Sequence, residues 1–376
     1  MPKVAIVGVG NCCSALVQGI AIAKAEKRLL QGLTYEKIYG YAASSIDVVA
    51  AFDVDERKVG YTLREAIFKE PNCCVKLIQD EDELNQISNT IVLNGPVLDG
   101  VAPHMENKVN GFCIDRTRYI IDESEIQDIL LEREVDILIN YLPVGSQIAT
   151  EFWAQVCLNT GISFLNCIPV FIASDPEWEK RFYDKGIPII GDDMRSQFGA
   201  SVLSQMLQEL AFDRGHKVKC HIQQNIGGNT DFYNMMDKTR LKSKKISKEN
   251  VIRSQNVIRN VQDDSFLYAG PSDYIEHYKD NKIAYFRLEL EGFGGAKVEF
   301  DAKLSVQDSP NSAGVVIDAI RFLMAARKLK LRGSLRGASA FTQKTPPQQL
   351  MFSEAKNECD MLAKGEISDR VKNENM

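Results

Sequence analysis

An apolar run followed at once by two glycines limits the fold of this chain more than any other feature. Residues 4–7 are typical of a buried strand, Gly8-Val9-Gly10 follows, and residues 11–27 have the periodicity of a helix. Glycines at these positions allow a sharp turn and a close approach of the backbone to a phosphate, which then lies on the helix N-terminus. The pattern predicts a dinucleotide-binding turn, although Cys13 replaces the usual third glycine. The alternative is that the glycines mark only a tight turn between strand and helix.

A second apolar run, at residues 48–52, ends at Asp53. A carboxylate at the end of this strand can accept hydrogen bonds from the hydroxyl groups of an adenosine ribose. It also repels the 2′-phosphate of NADP, so the predicted cofactor is NAD. Asp53 lies further along the chain than the usual spacing, and residues 28–46 are therefore predicted to form an excursion.

Strand-like and helix-like segments alternate through the first 200 residues. Apolar runs at 90–93, 136–139, 163–165 and 187–190 are separated by helical patterns such as 123–132 and 147–159. This alternation predicts a parallel sheet with helices on both faces. The first domain is therefore predicted to have a Rossmann-like, doubly wound α/β fold.

The pattern changes near residue 216. Residues 284–291 and 296–304 alternate with the two-residue period of antiparallel strands, and Gly292 to Gly295 resemble a hairpin turn between them. Residues 311–329 return to a long amphipathic helix. We predict an inserted α+β domain at 210–308, and a first domain made of residues 1–209 and 309–376.

Composition excludes several classes of protein. The 376 residues are 44% hydrophobic, the net charge is −6, and no basic stripe for nucleic acid is present. No apolar stretch reaches the length that spans a bilayer. The nine cysteines include the adjacent pairs Cys12-Cys13 and Cys73-Cys74, which is unlike a disulfide framework and indicates free thiols in a reducing compartment. We expect a cytoplasmic protein that binds neither nucleic acid nor membrane.

Three lysines in the second half of the chain are candidate catalytic groups. Lys282 and Lys303 lie on predicted strands and Lys344 precedes Pro346-Pro347. If they converge with Asp273 and Asp308, these groups could bind a phosphate and transfer protons on a sugar. The alternatives are plain: a strand lysine is usually solvated, residues 270–273 read equally well as a turn, residues 227–229 as a loop, and Ser309 or Asn311 as a helix cap.

Residues 3–350 resemble the inositol-3-phosphate synthase family, most closely its compact bacterial and archaeal members. The resemblance rests on these segments: 4–12 (VAIVGVGNC), 51–55 (AFDVD), 141–146 (YLPVGS), 169–176 (PVFIASDP), 191–193 (GDD), 227–229 (GGN), 243–248 (SKKISK) and 308–314 (DSPNSAG).

The resemblance implies an isomerase that converts D-glucose 6-phosphate into 1D-myo-inositol 3-phosphate, for inositol and phospholipid biosynthesis. Bound NAD would oxidise C5, C6 would lose a proton and attack C1 in an aldol closure, and the ring ketone would be reduced again. The family also implies a catalytic inserted domain and a homotetramer assembled through its sheet.

The resemblance further implies roles for individual residues. Lys282 and Lys344 would polarise and protonate reacting oxygens with Lys303 nearby, while Asp273 and Asp308 would orient lysines and hydroxyls. The substrate phosphate would be held by Asn229, Ser272, Lys244, Lys245 and Ser247, in part on a loop that orders over it. The cofactor would contact Gly8, Gly10, Asn11, Cys12, Asp53, Tyr141, Pro143, Ser146, Asn166, Asp193 and Asp308. A Schiff-base lysine ranks lower, because the ketone can form the enolate directly.

Two points stay open in the sequence. Arg195 stands where relatives carry lysine, which makes a proton-transfer role there doubtful. Asp193 and Asp308 could hold a divalent or monovalent cation, but no ligand pattern identifies one.

Other functions also remain possible in the sequence. They are a cyclase for another sugar phosphate, an NAD dehydrogenase that releases NADH, and a nucleotide-binding protein that has lost its chemistry. The presence of Lys282, Lys303 and Lys344 argues against the last.

Overall fold

Seven parallel strands form the main sheet of the protein. The computed structural model describes residues 1–117, 119–237, 253, 255–259 and 265–366. The strand order is β13-β8-β7-β6-β1-β4-β5. The bounds are β1 Lys3–Val7, β4 Asp47–Asp53, β5 Val92–Asn94, β6 Ile137–Asn140, β7 Ser163–Asn166, β8 Pro188–Ile190 and β13 Gly333–Ser334. Every pairing in this sheet is parallel, as the sequence predicted.

Helices cover both faces of this sheet because its strands are apolar on both sides. Ile6 and Ile139 pack into one apolar cluster, and Ala5 and Leu138 pack into another on the opposite face. The first cluster includes α1 Asn11–Ala25 and α9 Asp308–Lys328. The second includes α4 Glu123–Glu132, α5 Gln147–Thr160 and α6 Pro176–Asp184. The doubly wound prediction is confirmed.

Most of the remaining helices are short. They are α2 Leu63–Ala66, α3 Glu81–Asn85, α7 Ala200–Asp213, α8 Thr230–Asn234, α10 Arg336–Thr342 and α11 Phe352–Lys364, with 3-10 turns at Ala43–Ser45, Pro103–Met105, Glu276–Tyr278 and Phe293–Gly295.

The second sheet has the order β10-β9-β11-β12. Its strands are β9 Lys217–Gly227, β10 Phe266–Tyr274, β11 Asn281–Glu291 and β12 Lys297–Gln307. β11 is antiparallel to both β9 and β12, and the predicted hairpin turn joins β11 to β12. The predicted domain division at 209/210 falls inside α7, which packs against β9 and β11. The division itself stays a prediction.

Two local predictions have different outcomes. The interpretation of residues 270–273 as a turn is wrong, because they lie in β10, which pairs with β9 in parallel. The excursion at 28–46 contains a small hairpin, β2 Lys37–Ile38 and β3 Tyr41–Ala42. It is held by Arg321 of α9, which donates hydrogen bonds to the carbonyls of Glu36 (2.9 Å) and Tyr35 (3.0 Å).

None of the helices in the described part of the chain combines the length and the apolar character that crossing a membrane requires.

Candidate active site

One cavity lies between the carboxyl ends of the main sheet and the second sheet. Gly8, Asp53 and Tyr141 line it from the main sheet, and Asn225 and Lys282 line it from the second. In open α/β sheets, ligands bind outside the carboxyl ends of the strands. The second sheet lies across this position and supplies the opposite side of the cavity.

The glycine turn is held rigidly at the wall of this cavity. Gly8 has a φ of +91°, and a Cβ there would lie 2.7 Å from the Tyr141 carbonyl oxygen, so no larger residue fits. The Val9 amide donates to Asp53 Oδ2 (2.6 Å), and Lys58 Nζ donates to the Val9 carbonyl (2.8 Å). Both peptide groups of the turn are therefore fixed before any ligand binds.

Helix α1 presents an anion-binding end to the same cavity. Its N-cap is Gly10, no side chain caps it, and its described first turn contains no acidic residue. Gly10, Asn11 and Cys12 all line the cavity. Unpaired amides and the helix dipole favour a negatively charged group at this point.

Asp53 and Tyr141 test whether a dinucleotide fits. Asp53 Oδ1 accepts from the amides of Val54 (2.7 Å) and Asp55 (2.9 Å), which fixes the carboxylate at the cavity wall and leaves an acceptor site on Oδ2 for a ribose hydroxyl. The Tyr141 hydroxyl is buried without a hydrogen-bond partner among the described residues. A buried hydroxyl of this kind calls for a partner from a ligand, so the residues present fit NAD.

Two lysine–carboxylate pairs face the cavity. Lys282 Nζ lies 3.1 Å from Asp308 Oδ1, and Lys344 Nζ lies 2.8 Å from Asp193 Oδ1. All four side chains line the cavity and are largely buried. Lys282 comes from the second sheet and Lys344 from the loop after α10, so the fold brings together cations that are far apart in sequence.

Asp280 is a carboxylate that the sequence did not indicate. It is almost fully buried, and it accepts hydrogen bonds from Asn229 Nδ2 (3.1 Å) and Ser309 Oγ (2.8 Å). Burial, and then the charge of Asp308, raise its pKa to about 6. It ties the Asn229 turn to the start of α9, where Asp308 lies.

Asn229 is both a helix cap and a cavity residue. Its side chain accepts from the amides of Asp231 (3.1 Å) and Phe232 (3.3 Å) at the start of α8. The preceding Gly228 has no room for a Cβ, which would lie 2.3 Å from the Ile275 carbonyl oxygen. Asn229 and Asp231 both line the cavity. The loop interpretation and the binding interpretation of residues 227–229 are therefore compatible.

Helix α7 supplies a second anion-binding end that the sequence did not indicate. Its N-cap is Gly199 and no side chain caps it, while Ser196, Ala200 and Ser201 line the cavity. The available signal was a glycine directly before an apolar helical pattern. A cavity with two such helix ends suits a ligand pair that carries several phosphates.

Comparisons with known proteins give the family. A family model described as myo-inositol-1-phosphate synthase matches residues 199–309. The inositol-3-phosphate synthase of Mycolicibacterium smegmatis is 40% identical over 370 residues, which cover 96% of this chain and 98% of the relative. The chain belongs to this family. The inositol-3-phosphate synthase of Corynebacterium glutamicum is 41% identical over 93% of this chain and 94% of the relative.

Solved structures agree on the fold of this synthase-family chain. A myo-inositol-1-phosphate synthase-related protein from Thermotoga maritima superposes with a TM-score of 0.79 at 23% identity, covering 97% of this chain and 98% of that one. The inositol-3-phosphate synthase of Caenorhabditis elegans superposes with a TM-score of 0.74 at 16% identity, covering 98% of this chain and 86% of that one.

Two predicted catalytic residues of this family member do not reach the cavity. Lys303 is exposed on β12, with Nζ 6.0 Å from the centre of the Tyr285 ring, while its neighbours Ala302 and Leu304 pack inward. Asp273 is exposed on β10 and accepts from the Tyr274 amide (2.8 Å). Neither residue is among those that line the cavity, and the catalytic roles predicted for both stay predictions.

Two predicted cofactor residues lie behind the cavity wall instead of on it. Ser146 Oγ donates to the Pro143 carbonyl (2.5 Å), and Pro143 itself lines the cavity. Asn166 accepts from Asn140 Nδ2 (2.9 Å) and donates to Asp192 Oδ1 (2.7 Å). Neither residue lines the cavity, and the cofactor contacts predicted for both stay predictions.

Four of the predicted substrate-binding residues cannot be placed relative to the cavity. Lys244, Lys245 and Ser247 lie outside the described residues, as does the side chain of Ser272. Within the described ranges, no three histidine, cysteine or acidic side chains are grouped so as to hold a metal ion.

Proposed function

We propose that this member of the family converts D-glucose 6-phosphate into 1D-myo-inositol 3-phosphate, with an NAD that is reduced and reoxidised within each turnover. The observation that carries the proposal is the meeting of the glycine turn with the Lys282–Asp308 and Lys344–Asp193 pairs in one cavity. A dehydrogenase needs only one group that exchanges a proton. Oxidation, enolisation and aldol closure each develop charge on a substrate oxygen, which suits two cations.

The side of the cavity formed by the main sheet, which we call the first wall, suits the cofactor. The side formed by the second sheet is the second wall. The N-terminus of α1 would hold the pyrophosphate, Asp53 would accept from the ribose hydroxyls, and Tyr141 would find its missing hydrogen-bond partner there. NAD, when bound, supplies hydride acceptance from C5 of the sugar and later hydride return. The carboxylate of Asp53 favours it over NADP.

The two lysines act on the reacting oxygens. Their ammonium groups would donate hydrogen bonds to the oxygens at C5 and C1, where negative charge develops as C6 loses its proton and attacks C1. Asp308 and Asp193 hold the ammonium groups of Lys282 and Lys344 at the cavity wall. Because the second sheet covers the site, little water competes for these hydrogen bonds.

The substrate phosphate would bind between the N-terminus of α7 and the turn at Asn229. The N-terminus of α7 and the Asn229 turn both face the cavity there. We propose that Lys244, Lys245, Ser247 and Ser272 complete the grip on the phosphate. The family motif at 243–248 supports this part of the proposal.

We propose further that the enzyme is a cytoplasmic homotetramer that feeds phospholipid biosynthesis. All nine cysteines are free thiols, in keeping with a reducing compartment. In the second sheet, Phe266 and Tyr285 are exposed on one face, and Val298 and Phe300 are exposed on the other. Exposed apolar side chains of this kind are suited to contact between subunits.

Phosphorus NMR tests the proposal directly. Purified protein is incubated with glucose 6-phosphate and far less NAD than substrate. Many turnovers to inositol 3-phosphate without accumulation of NADH are expected. A stoichiometric release of NADH would instead identify a dehydrogenase, and no turnover with NAD bound would reject glucose 6-phosphate as the substrate.

A further inference from the structure

Arg195 is a buried cation beside the loop that carries Lys344, and it does not line the cavity. Only 2% of the residue is exposed, and burial lowers the pKa of its guanidinium to about 10. Burying a charged group is costly unless its donors are matched. Two of the hydrogen-bond acceptors of the Arg195 guanidinium lie in one segment, the loop after α10 that carries Lys344.

The guanidinium holds that loop on both sides of Lys344. Arg195 Nε donates to the carbonyl of Gln343 (2.6 Å), and a terminal nitrogen of Arg195 lies 3.4 Å from Gln349 Oε1. Gln349 Nε2 in turn donates to the Lys344 carbonyl (2.7 Å). The residue before Lys344 and the carbonyl of Lys344 itself are thus both connected to one side chain.

The backbone repeats the connection. The Arg195 amide donates to the Thr342 carbonyl (2.8 Å), and the Lys344 amide donates to the Asp193 carbonyl (2.7 Å). Met194 and Gln343 form an antiparallel bridge between these two segments. The segment that carries Asp193 and the loop that carries Lys344 are therefore hydrogen-bonded to each other along their backbones.

Helix α7 is the third part of the arrangement. Arg195 also donates to Gln205 Oε1, and Gln205 Nε2 donates to Glu209 Oε1 (2.8 Å). Both glutamine and glutamate belong to α7, whose N-terminus faces the cavity. Arg195 therefore connects the Lys344–Asp193 pair to the helix that is expected to receive the phosphate.

We propose that Arg195 is a positioning residue that fixes the ammonium group of Lys344 relative to the substrate through the Gln343 and Gln349 contacts. An error of about 1 Å in the position of a catalytic group can cost roughly 100-fold in rate. The kinetic consequence rests on the proposed cyclisation. The geometric consequence, a fixed 342–349 segment, does not.

The variants Arg195→Met and Arg195→Lys test the inference. Arg195→Met is expected to lower kcat about 100-fold, while KM for glucose 6-phosphate and the Kd for NAD stay within about threefold. Arg195→Lys keeps a cation that can still reach the Gln343 carbonyl, and it should recover at least about a tenth of the lost activity. Hydrogen–deuterium exchange should rise in peptides covering 342–349 of Arg195→Met, whatever the substrate is.

Arg321→Met is the matched control. Arg321 is also a fully buried arginine, paired with Asp318 and bound to the carbonyls of Tyr35 and Glu36, but it lies away from the cavity. Its loss should lower Tm while kcat of the folded protein stays within about twofold of the parent. If Arg195→Met does not fold, Gln349→Leu tests the same contact and should lower kcat in the same direction with KM unchanged.

Other results overturn the inference. They are an unchanged kcat in folded Arg195→Met, an equal loss of kcat in Arg321→Met, or unchanged exchange at 342–349. If the parent protein fails to cyclise glucose 6-phosphate, the proposed function fails, while the exchange measurement still decides whether Arg195 holds the loop.

Discussion

Lys282 and Lys344 each hold their ammonium group against one carboxylate at the cavity wall, and this pairing sets what a single substitution should do. Lys344→Met removes a proton donor and the ammonium group that lies against the Asp193 carboxylate. We expect kcat to fall by about 10²–10⁴-fold. The measurement is steady-state cyclisation of glucose 6-phosphate.

Lys303→Met is the control for that experiment. Lys303 lies on β12, where it is exposed and does not line the cavity. Its kcat should stay within about twofold of the parent. Equal losses in the two variants would contradict the assignment of Lys344.

Asp280 gives a pH dependence whose sign can be worked out. Its pKa rises from 3.8 to about 6 on folding. Between these values the folded protein holds the proton more tightly than the unfolded chain, so the contribution of Asp280 to the free energy of unfolding is largest below pH 4 and declines as the pH rises to 6.

Asp280→Asn isolates this contribution, because asparagine does not titrate. Urea denaturation of both proteins at pH 4.5 and pH 7 gives two differences in the free energy of unfolding. The advantage of the parent over the variant should be smaller at pH 7 by about 2 kcal/mol. A constant difference would show that Asp280 has the same pKa in the folded and unfolded states.

The sequence contained part of this residue-level information. Lys303 lies between Ala302 and Leu304, and the alternation of a strand places it on the face opposite to these apolar neighbours. The exposed position of Lys303 on β12 was therefore available from the pattern itself. Asp280 was not predictable, because its role depends on Asn229 and Ser309, which lie 51 and 29 residues away in sequence.

The glycine turn is the element on which cofactor binding depends. Gly8→Ala adds a Cβ 2.7 Å from the Tyr141 carbonyl oxygen at a positive φ. The turn must shift, so the Kd for NAD should rise at least about tenfold. Isothermal titration calorimetry measures this change.

Gly186→Ala separates steric pressure from backbone strain. Gly186 has a φ of +74°, and its Cβ would have no heavy atom within 4 Å. It should lose roughly 1–2 kcal/mol of stability and keep its affinity for NAD. The role of the Tyr141 contact would be refuted if both variants bound NAD equally well.

Elements were predictable where one physical rule dominated. Strands such as β1 and β4 are buried on both faces, and therefore appear as unbroken apolar runs. β10 was missed because Gly270 and Pro271 are typical of turns. Proline is tolerated there because β10 is an edge strand, a fact that only the sheet order reveals.

At the scale of the whole molecule, the two walls of the cavity should bind different ligands. NAD at 100 times its Kd stabilises a folded protein by about 2.7 kcal/mol. Lys282→Met changes the second wall, so the rise in Tm on adding NAD should persist. Asp53→Ala changes the first wall and should abolish that rise, as differential scanning fluorimetry would show.

The cavity between the two sheets could be predicted from the sequence only in outline. The glycine turn and Asp53 gave the first wall, because that motif is local. The second wall came from family resemblance, since nothing local shows that β11 lies over the ends of β1 and β4.

Helix α1 packs against α9, although about 280 residues separate them along the chain. On the ribosome, translation at about 5–20 residues per second leaves the apolar face of α1 without its partner for roughly 15 to 60 s. The nascent chain must therefore keep this face covered by chaperones or by transient contacts until α9 emerges. Newly made protein should be at its most aggregation-prone before residues 308–328 have been synthesised.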